Sequence, residues 1–506
     1  MFLKAGLLSL MLLLVSRVLG VLRETALAAA FGSSGMADVA IVMMTLPDWL
    51  AGVLVSGALA YVLLPQWARE SETQQNATQR RVAQRLLLIA VALAGTMCLA
   101  RDFVGALLAP GVPPALRGAV NQAVIWSALA LPAAMLAGLW ASRLQHERDF
   151  VGLYSGNLVV NAVLIGVLVF LGVKGTGVVA GSVLGIFLMV AMVMRLLWQG
   201  RRLRSFRQTT PAVQRAITGT LPSWRIWMWA ALGAGLPLML PFVARTVTSA
   251  SGEGALATFN YAWKLVELPL VLAIQLVASL AFPAIAQAHA KSCAPEANAV
   301  DEMAIAVRSA LALAWTLACA AAAALLVGAP VITTLLFGWG RMQGSALEHI
   351  AAWGQVGAWG LLPQAVLAVA LTVLASVGRM RFAVLAYTLA LAVLLFAAAA
   401  GLKSGHDLMW ALNGGFLLAA MVAWSALGMT AFRRWIPVRS LLTPLVALMG
   451  VALLAQWLGP LDGMAVPARL WGFKQAWALG LCALSALFVI ASGWLLGAHP
   501  RHLLRS

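Results

Sequence analysis

Residues 16–24 read SRVLGVLRE and lie within a long apolar segment near the start of the chain. Leucine, methionine and valine precede this stretch and the apolar run resumes after it, so Arg17 and Arg23 fall near the depth of a hydrocarbon core. A charged side chain there costs about 2.5–3.5 kcal/mol on insertion scales, and arginine cannot escape this cost by losing its proton. We therefore expect both guanidinium groups to face a bundle interior or a water-filled cavity.

The same stretch contains one acidic residue, Glu24. Arg17 and Glu24 are about two helical turns apart, or ~10 Å along the axis, so we expect them to line one surface. Arg23 lies roughly a third of a turn from that surface. Two interpretations stay open at this point: an intrahelical Arg–Glu pair that neutralises itself, or the cationic part of an anion-binding site.

The composition places the chain in a membrane. Of the 506 residues, 62% are hydrophobic and only 10% are charged, whereas soluble domains carry about 25% charged residues. The formal net charge is +18, but the basic residues fall in short connections such as residues 201–204 and 433–434. The positive-inside rule assigns such connections to the cytoplasm, so the charge indicates topology and no nucleic-acid partner is expected.

The apolar segments predict an all-α polytopic membrane protein. A span needs about 20 mainly apolar residues, and on that template the chain contains about 14 transmembrane helices. The predicted spans are residues 3–31, 37–64, 86–108, 119–141, 151–171, 177–197, 226–247, 256–286, 304–327, 350–376, 382–402, 408–432, 441–458 and 471–496.

The connections between these spans alternate in charge. The basic connections are residues 67–85, 143–149, 199–225, 287–302, 378–381, 433–439 and the tail after His499. Because these connections are cytoplasmic by the positive-inside rule, both termini are predicted to be cytoplasmic. The first twenty residues also resemble a signal peptide in composition, but arginines rather than a small-residue cleavage site follow them, so we interpret them as a retained first helix.

A long basic connection divides the chain into two halves. We predict an N-terminal lobe of six spans, a basic cytoplasmic linker, a C-terminal lobe of six spans, and two last helices with a cytoplasmic tail; these are residues 1–199, 200–225, 226–432 and 433–506. The prolines of span two, Pro47 and Pro65, are echoed by Pro269 and Pro283 in span eight. Unless it is a coincidence in an Ala- and Leu-rich chain, the echo indicates parallel repeats, as transporter halves often have.

Further polar residues lie within the spans. Asp38 opens span two, where a helix N-terminus favours a carboxylate, and it is predicted either as a cap alone or as a polar cavity residue. Asp48 follows Pro47, and a carboxyl group there is a weaker sign of function because it can be protonated. Lys264 and Glu267 stand at i, i+3 on span eight, a spacing at which the two can satisfy each other.

Together these positions predict a cationic cavity. Arg17 and Arg23 are expected on one lobe and Lys264 on the other, with Asp38, Glu24 and Glu267 as polar or gating residues. Such a cavity suits a diphosphate, because guanidinium groups grip it bidentately and an ammonium holds it as a point charge. The four cysteines are scattered and form no CxxC motif, so neither a metal site nor a disulfide framework is predicted.

The chain resembles a known family nearly from end to end. The residues that carry the resemblance are Ser16-Arg17-Val18-Leu19-Gly20, Arg23, Phe31-Gly32, Ala37-Asp38, Leu46-Pro47, Gly57-Ala58, Ala109-Pro110-Gly111, Tyr261-Ala262, Leu265, Glu267-Leu268-Pro269 and Leu335-Leu336-Phe337. They are similar to the motifs of the MurJ/MviN family of lipid II flippases, within the multidrug/oligosaccharidyl-lipid/polysaccharide exporter superfamily.

The resemblance implies 14 helices in two lobes around a central cavity, with the last two helices forming a groove for a lipid tail. It also implies that Arg17, Arg23 and Asp38 match polar cavity residues of the family. Five positions depart from the family pattern. Lys264 stands where arginine is usual, Trp263 where aspartate often occurs, and Ala51-Gly52 and Ser56 stand where the family has an arginine pair and a glutamate.

The function expected from this resemblance is a flippase that moves lipid II, an undecaprenyl-diphosphate-linked peptidoglycan precursor, from the cytoplasmic to the periplasmic leaflet by alternating access. The alternative within transport is a flippase for another lipid-linked glycan, such as an exopolysaccharide or O-antigen unit. A multidrug antiporter is less favoured, because drug cations need an acidic cavity. A membrane glycosyltransferase or ligase is disfavoured, because its acid–base residues need a large outer loop, and the outer connections here are short.

We therefore expect no catalytic residues, no metal site and no cofactor. Transport is expected to be coupled to the membrane potential or to an ion that the sequence does not identify. The expected partners are the lipid-linked saccharide diphosphate and membrane lipids. The expected location is the bacterial inner membrane, where the chain is predicted to act as a monomer.

Overall fold

The computed structural model describes residues 2–54, 58–175, 179–204, 223–292, 299–428, 434–458 and 471–496. These residues fold into 18 α-helices joined by short connections, and no β-strand occurs among them. By packing, the chain forms two compact units. The first comprises Met1–Ala257 with Trp339–Gln343, and the second comprises Thr258–Gly338 with Gly344–Ser506.

Nine complete helices belong to the first unit, together with a 3₁₀ turn at Pro114–Leu116. They are α1 (Phe2–Phe31), α2 (Gly35–Val53), α3 (Leu59–Trp67), α4 (Glu72–Leu99), α5 (Arg101–Leu108), α6 (Arg117–His146), α7 (Phe150–Lys174), α8 (Ala180–Arg204) and α9 (Trp224–Ser249).

The remaining helices belong to the second unit, except that the first residues of α10 group with the first unit. They are α10 (Ala255–Pro269), α11 (Leu276–Ser292), α12 (Ala299–Phe337), α13 (Gly344–Trp359), α14 (Leu361–Ser376), α15 (Met380–Ala399), α16 (Gly405–Ser425), α17 (Val438–Leu458) and α18 (Trp471–Leu496). A π-helical turn at Leu270–Gln275 joins α10 to α11.

The prediction of a polytopic helical membrane protein is confirmed. Ten helices of the described residues are long and apolar enough to cross a membrane, and the number is twelve if each of two bent pairs counts as one span. The other two predicted spans, 3–31 and 37–64, coincide with α1 and with the pair α2 and α3. The predicted count of fourteen is therefore consistent with these helices.

Several predicted spans are bent or interrupted. Span 350–376 is two helices, α13 and α14, which meet at an angle of 44°. Span 256–286 is broken by the π-helical turn that follows Pro269. Proline removes a backbone donor and clashes with the preceding turn, and π turns re-route the hydrogen bonds that are freed. The sequence predicted the apolar lengths and missed these breaks.

The first unit is organised on α6, which packs against α2, α4 and α8, while α1 packs along α7. Small residues on α6 are fully buried, among them Ala128, Ala130, Ala134 and Ala137, and small residues allow close approach of helices in a membrane. The turn between α1 and α2 requires Gly32, which has a φ of +66°, and a Cβ there would lie 2.5 Å from the carbonyl oxygen of Arg341.

The second unit is organised on α12, which packs against α11, α13, α14, α17 and α18. Its 39 residues make a helix about 58 Å long, well beyond the ~30 Å of a hydrocarbon core. The approach of α18 is close: the Cys482 thiol donates to the carbonyl of Ala324, and a Cβ on Gly328 would lie 2.7 Å from the Cys482 sulfur. The last two predicted helices therefore pack on α12.

Polar connections hold one end of the helices in the first unit. Asp149 caps α7 by accepting from the Gly152 N–H at 3.0 Å, and Arg202 of α8 donates to both Asp149 oxygens at 2.8 Å. Burial raises the pKa of Asp149, but these hydrogen bonds outweigh it, so the pKa of Asp149 lies below its usual value. The connection between α6 and α7 is thus fixed to α8.

The division into lobes at residues 200–225 stays a prediction. The central part of that linker, residues 205–222, lies outside the described residues, as does the tail after residue 496. The described ends of the linker are helical, because α8 continues to Arg204 and α9 begins at Trp224. The helix α9, predicted as the first span of the C-terminal lobe, groups with the first unit.

Candidate functional site

Arg23 is held between two carboxylates on neighbouring helices. Its Nη2 lies 2.8 Å from Oε1 of Glu24 on α1, and its Nη1 lies 2.9 Å from Oδ2 of Asp48 on α2. The side chains of Arg23 and Glu24 are 12% and 4% exposed, whereas that of Asp48 is 42% exposed. Arg23, Glu24 and Asp48 form a triad. Because it has two carboxylates and one guanidinium, its formal net charge is negative. The Asp48 carboxylate is its accessible member.

Arg17 differs from Arg23 in both exposure and pairing. Its side chain is exposed, and within the described ranges it has no hydrogen bond and no ion pair. It lies near Tyr154 of α7, with which it interacts electrostatically. The intrahelical Arg–Glu pair, one of the two interpretations of the sequence, is present, and it is formed by Arg23 with Glu24 and not by Arg17. All five guanidinium donors of Arg17 are available to an anion.

Arg195 is a charged residue of the same unit that the sequence analysis did not single out. It lies on α8, is only 5% exposed, and has no hydrogen bond or ion pair among the described residues, with Nε fully buried. Its electrostatic partner is Asp48, since α2 packs against α8. The sequence does contain a signal for Arg195, because it is the single charged residue within residues 180–199.

Asp38 is fully buried, and backbone groups occupy both of its oxygens. Oδ2 accepts from the Gly254 N–H and Oδ1 from the Ala257 N–H, each at 2.8 Å. These N–H groups belong to the first turn of α10 and the residue before it, so Asp38 of α2 caps another helix rather than its own. The cap that the sequence suggested for span two is therefore made to α10 instead, and the role of Asp38 as a polar cavity or gating residue stays a prediction.

Lys264 and Glu267 form a pair on α10 in the second unit. The Lys264 Nζ lies 2.6 Å from Oε2 of Glu267, and the side chains are 26% and 30% exposed. The preceding Trp263 stacks on Phe416 of α16 with ring centroids 6.2 Å apart. The predicted i, i+3 pair is therefore present, and Trp263 fills the position of an aspartate with an aromatic contact.

The structure brings one group of the predicted residues together. Arg23, Glu24, Asp48 and Arg195 form a cluster from α1, α2 and α8, which we call the α1–α2–α8 cluster, and Arg17 lies about two turns from Arg23 on α1. The assembly of this cluster with Lys264 into one cavity stays a prediction.

The chemistry of the α1–α2–α8 cluster suits a divalent anion. With Arg17 it contains three arginines and two carboxylates, so its formal net charge is +1. The described residues contain no group of three or more His, Cys, Asp and Glu side chains that could hold a metal ion. Guanidinium groups bind phosphate oxygens bidentately, so the donors of the exposed Arg17 are the groups that an incoming phosphate would meet first.

Comparison with known proteins identifies the family. The family model described as "Lipid II flippase MurJ" matches residues 27–487, which is most of the chain. The chain belongs to the MurJ family. The match extends from the end of α1 into α18, so it covers both units of this MurJ-family protein.

Two curated relatives support this membership. The chain is 28% identical over 345 residues to the probable lipid II flippase MurJ of Rhizobium meliloti strain 1021, an alignment that covers 65% of this chain and 62% of the relative. It is 25% identical over 362 residues to the lipid II flippase MurJ of Burkholderia cenocepacia, covering 67% and 66%. The matched part of the chain thus spans slightly less than two thirds of the length of these relatives.

A solved structure supports the MurJ fold over almost the whole chain. The chain superposes on a lipid II flippase MurJ in an inward closed conformation with a TM-score of 0.74 at 14% identity, covering 96% of this chain and 99% of the other. At 14% identity, this structural similarity is evidence for the fold alone.

The departures from the MurJ pattern are only partly visible in the structure. Gly52 lies on α2, where a Cβ would lie 3.1 Å from the Leu238 side chain of α9, so a large side chain at this position needs Leu238 to move. Ser56 lies outside the described residues. Of these departures from the arginine pair and the glutamate, the structure therefore describes the surroundings of Gly52 and not those of Ser56.

Proposed function

We propose that this MurJ-family protein is a flippase that moves lipid II from the cytoplasmic to the periplasmic leaflet by alternating access. The observation that carries the proposal is the family match over residues 27–487. The α1–α2–α8 cluster together with Arg17 supports it, because their formal net charge of +1 within apolar helices favours an anionic ligand that offsets its cost in the membrane. A lipid diphosphate is such a ligand.

The available donors suggest how the diphosphate is held. Arg17 is exposed and has no hydrogen bond or ion pair in the described part of the chain, so it can bind a phosphate without breaking an existing pair. Arg23 must share or exchange its carboxylates before it can bind. Lys264 must likewise share Glu267. We propose that Arg17 makes the first contact, and that Arg23 and Lys264 complete the site.

The same proposal covers the partners and the energy source. The protein is not an enzyme, uses no cofactor and acts as a monomer among membrane lipids. Transport is driven by the membrane potential or by an ion. Dissipating the potential and each ion gradient in turn, in liposomes that contain only the purified protein and lipid II, identifies the driving force.

We propose that the protein lies in the bacterial inner membrane with both termini in the cytoplasm. Reporter fusions after Lys174, Gly252 and Asp407 are expected to be periplasmic, and fusions after Gln208 and Arg434 cytoplasmic. A cytoplasmic signal at Asp407 would contradict the register of the second half of the chain.

Complementation tests the proposed function in cells. A bacterium is depleted of its own lipid II flippase, and this chain is expected to sustain its growth. The matched control is Arg17→Ala, which is expected to accumulate in the membrane without sustaining growth. Failure of the wild-type chain to support growth although it accumulates in the membrane would contradict the proposal.

Reconstitution tests the substrate itself. Liposomes with the purified protein are supplied with lipid II or with a lipid-linked glycan unrelated to peptidoglycan. Flipping of lipid II supports the proposal, and flipping of the other donor alone would reject it. If lipid II is the substrate, Ala51→Arg combined with Ser56→Glu is expected to be tolerated, because the added charges cancel; in a flippase for another glycan the pair is expected to reduce transport.

A further inference from the structure

The structure contains a buried cation that the proposed function does not yet use. Arg195 lies on α8 and is 5% exposed, and its Nε is buried without a partner among the described residues. An arginine near the end of a span usually extends to the membrane interface, but Arg195 stays inside the unit. Because an unpaired buried cation is costly, its position in a packed helix requires an explanation.

The packing around Arg195 holds its stem in place. A Cβ on Gly156 of α7 would lie 3.5 Å from the Arg195 Cγ and 3.0 Å from the Gln199 Nε2, so the α7 backbone approaches both side chains closely. Gln199 is fully buried one turn after Arg195, and both its amide atoms lack partners among the described residues. The stem of Arg195 therefore lies against α7, and its guanidinium group is the part that interacts with Asp48.

Asp48 is the carboxylate that interacts with Arg195. It is paired with Arg23 at 2.9 Å and is 42% exposed, so it is the most accessible member of the triad. It also acts electrostatically on Arg195. Asp48 thus lies within the electrostatic reach of two arginines but is hydrogen-bonded to only one of them.

We propose that Arg195 is a positioning residue that accepts Asp48 when the substrate diphosphate binds Arg23. In the free protein, Asp48 occupies Nη1 of Arg23. When phosphate oxygens take that donor, the displaced carboxylate pairs with Arg195 instead of facing the phosphate. When the substrate leaves, Asp48 returns to Arg23. This exchange rests on the proposed function, since it assumes a lipid diphosphate at Arg23.

The exchange makes opposite predictions for the two partners. Arg195→Gln removes the acceptor of Asp48, so the carboxylate stays on Arg23 and KM for lipid II rises about tenfold, as for one lost charge-assisted hydrogen bond. Asp48→Asn removes the competitor, so KM falls while kcat also falls, because the substrate is no longer displaced. In the double variant, KM is expected to equal that of Asp48→Asn, because Arg195 affects KM only through Asp48.

A matched control and a folding control accompany these variants. Arg201→Gln makes the same substitution on the same helix at an exposed residue and is expected to leave KM unchanged. Arg195→Lys keeps the charge and is expected to stay within about threefold of the wild-type KM, the difference between a guanidinium and an ammonium as a partner. If Arg195→Gln does not accumulate, Arg195→Lys and Asp48→Asn carry the test.

Kinetics of flipping in liposomes, with the unfolding temperature of each variant, separate the exchange from a packing role. A packing role predicts that Arg195→Gln lowers the unfolding temperature, with no rescue of KM by Asp48→Asn. An unchanged KM in Arg195→Gln, or a raised KM in Asp48→Asn, would overturn the exchange.

Binding of undecaprenyl diphosphate to the same variants in nanodiscs separates this inference from the proposed function. This probe has the diphosphate but no saccharide. If the wild type does not flip lipid II but the variants show the predicted order of affinities for the probe, the proposed function fails and the exchange stands. If lipid II is flipped and the predicted order is absent, the exchange fails and the proposed function stands.

Discussion

The charged residues of the two units are neutralised in different ways. In the second unit, Lys264 pairs with Glu267 one turn further along α10, so this ion pair lies within a single helix. In the first unit, Arg23 draws its partners from α1 and α2, and Arg195 adds a charge from α8. The arrangement in the first unit depends on the packing of three helices, and with Arg17 of α1 it has one surplus cation. It is therefore the arrangement that can respond to an anion.

Breaking the triad at its centre is expected to have the largest effect. Arg23→Ala leaves Glu24 buried without this partner and is expected to lower the free energy of unfolding by about 3–5 kcal/mol, the usual cost of removing one partner of a buried pair. Transport is expected to be lost as well. Thermal unfolding in detergent and flipping in liposomes measure the two effects. Adding Glu24→Gln and Asp48→Asn is expected to restore stability but not transport.

Arg17→Ala separates binding from stability and is expected to reduce transport about a hundredfold, as for the loss of one bidentate phosphate contact. Because Arg17 is exposed and has no ion pair in the described ranges, the unfolding temperature is expected to stay unchanged. Arg17→Lys is expected to recover transport only in part, since an ammonium cannot bind in a bidentate way. Full transport in the alanine variant would show that Arg17 is not part of the site.

Asp38→Ala tests a carboxylate of the first unit that backbone groups already use. It removes both caps of α10 and is expected to lower stability by about 1–2 kcal/mol, the upper part of the range for a lost helix cap. Asp38→Asn, which keeps one acceptor, is expected to lose less. Loss of transport at an unchanged unfolding temperature would instead support the predicted gating role.

Lys264→Met tests whether the self-paired cation of the second unit contributes less than Arg17. We expect transport to fall about tenfold, or about 1.4 kcal/mol. The Lys264 ammonium is a point charge that already pairs with Glu267, so it contributes less to phosphate binding than Arg17. Lys264→Arg, which restores the usual residue of the family, is expected to be neutral or better. A loss as large as that of Arg17→Ala would remove the contrast between the two units.

The smallest effect is expected at the exposed end of α8. Since the pKa of Asp149 is lowered in the folded protein, its pair with Arg202 stabilises fully above the usual Asp pKa, and this contribution is lost as pH falls through the lower folded value. Asp149→Asn is expected to cost about 1 kcal/mol or less near pH 7, because Arg202 is partly exposed. Unfolding temperatures of the two proteins, measured from pH 7 to pH 3, are expected to converge.

Much of the fold could be predicted because hydrophobic length is a local property of the chain. Apolar runs of about 20 residues identify spans wherever they occur, so the helices Met380–Ala399 and Val438–Leu458 lie close to the predicted spans 382–402 and 441–458. The interruption of span 256–286 was missed, because a proline indicates a kink but not how the freed carbonyl groups are satisfied.

The candidate site could be predicted only in its residue types. Local spacing correctly gave the Lys264–Glu267 pair, since i, i+3 neighbours meet on any helix. In the first helix, spacing left open whether an Arg–Glu pair forms and which arginine forms it, whereas the fold gives Glu24 to Arg23 and brings Asp48 to the same guanidinium. Arg195 gave no local sign of a partner, because Asp48 is far away in sequence.

The sequence by itself determined that this chain is a polytopic helical membrane protein, that its arginines must face away from lipid, and that it resembles the MurJ family. Those conclusions follow from transfer free energies and motifs, which need no partner residue. The tertiary structure decided which cations are neutralised and which are available, because ion pairs between helices depend on packing that brings distant residues within a few ångströms. Packing therefore leaves Arg17 without an ion pair among the described residues and holds Arg23 between two carboxylates. It also directs both oxygens of Asp38 to the N–H groups at the start of α10.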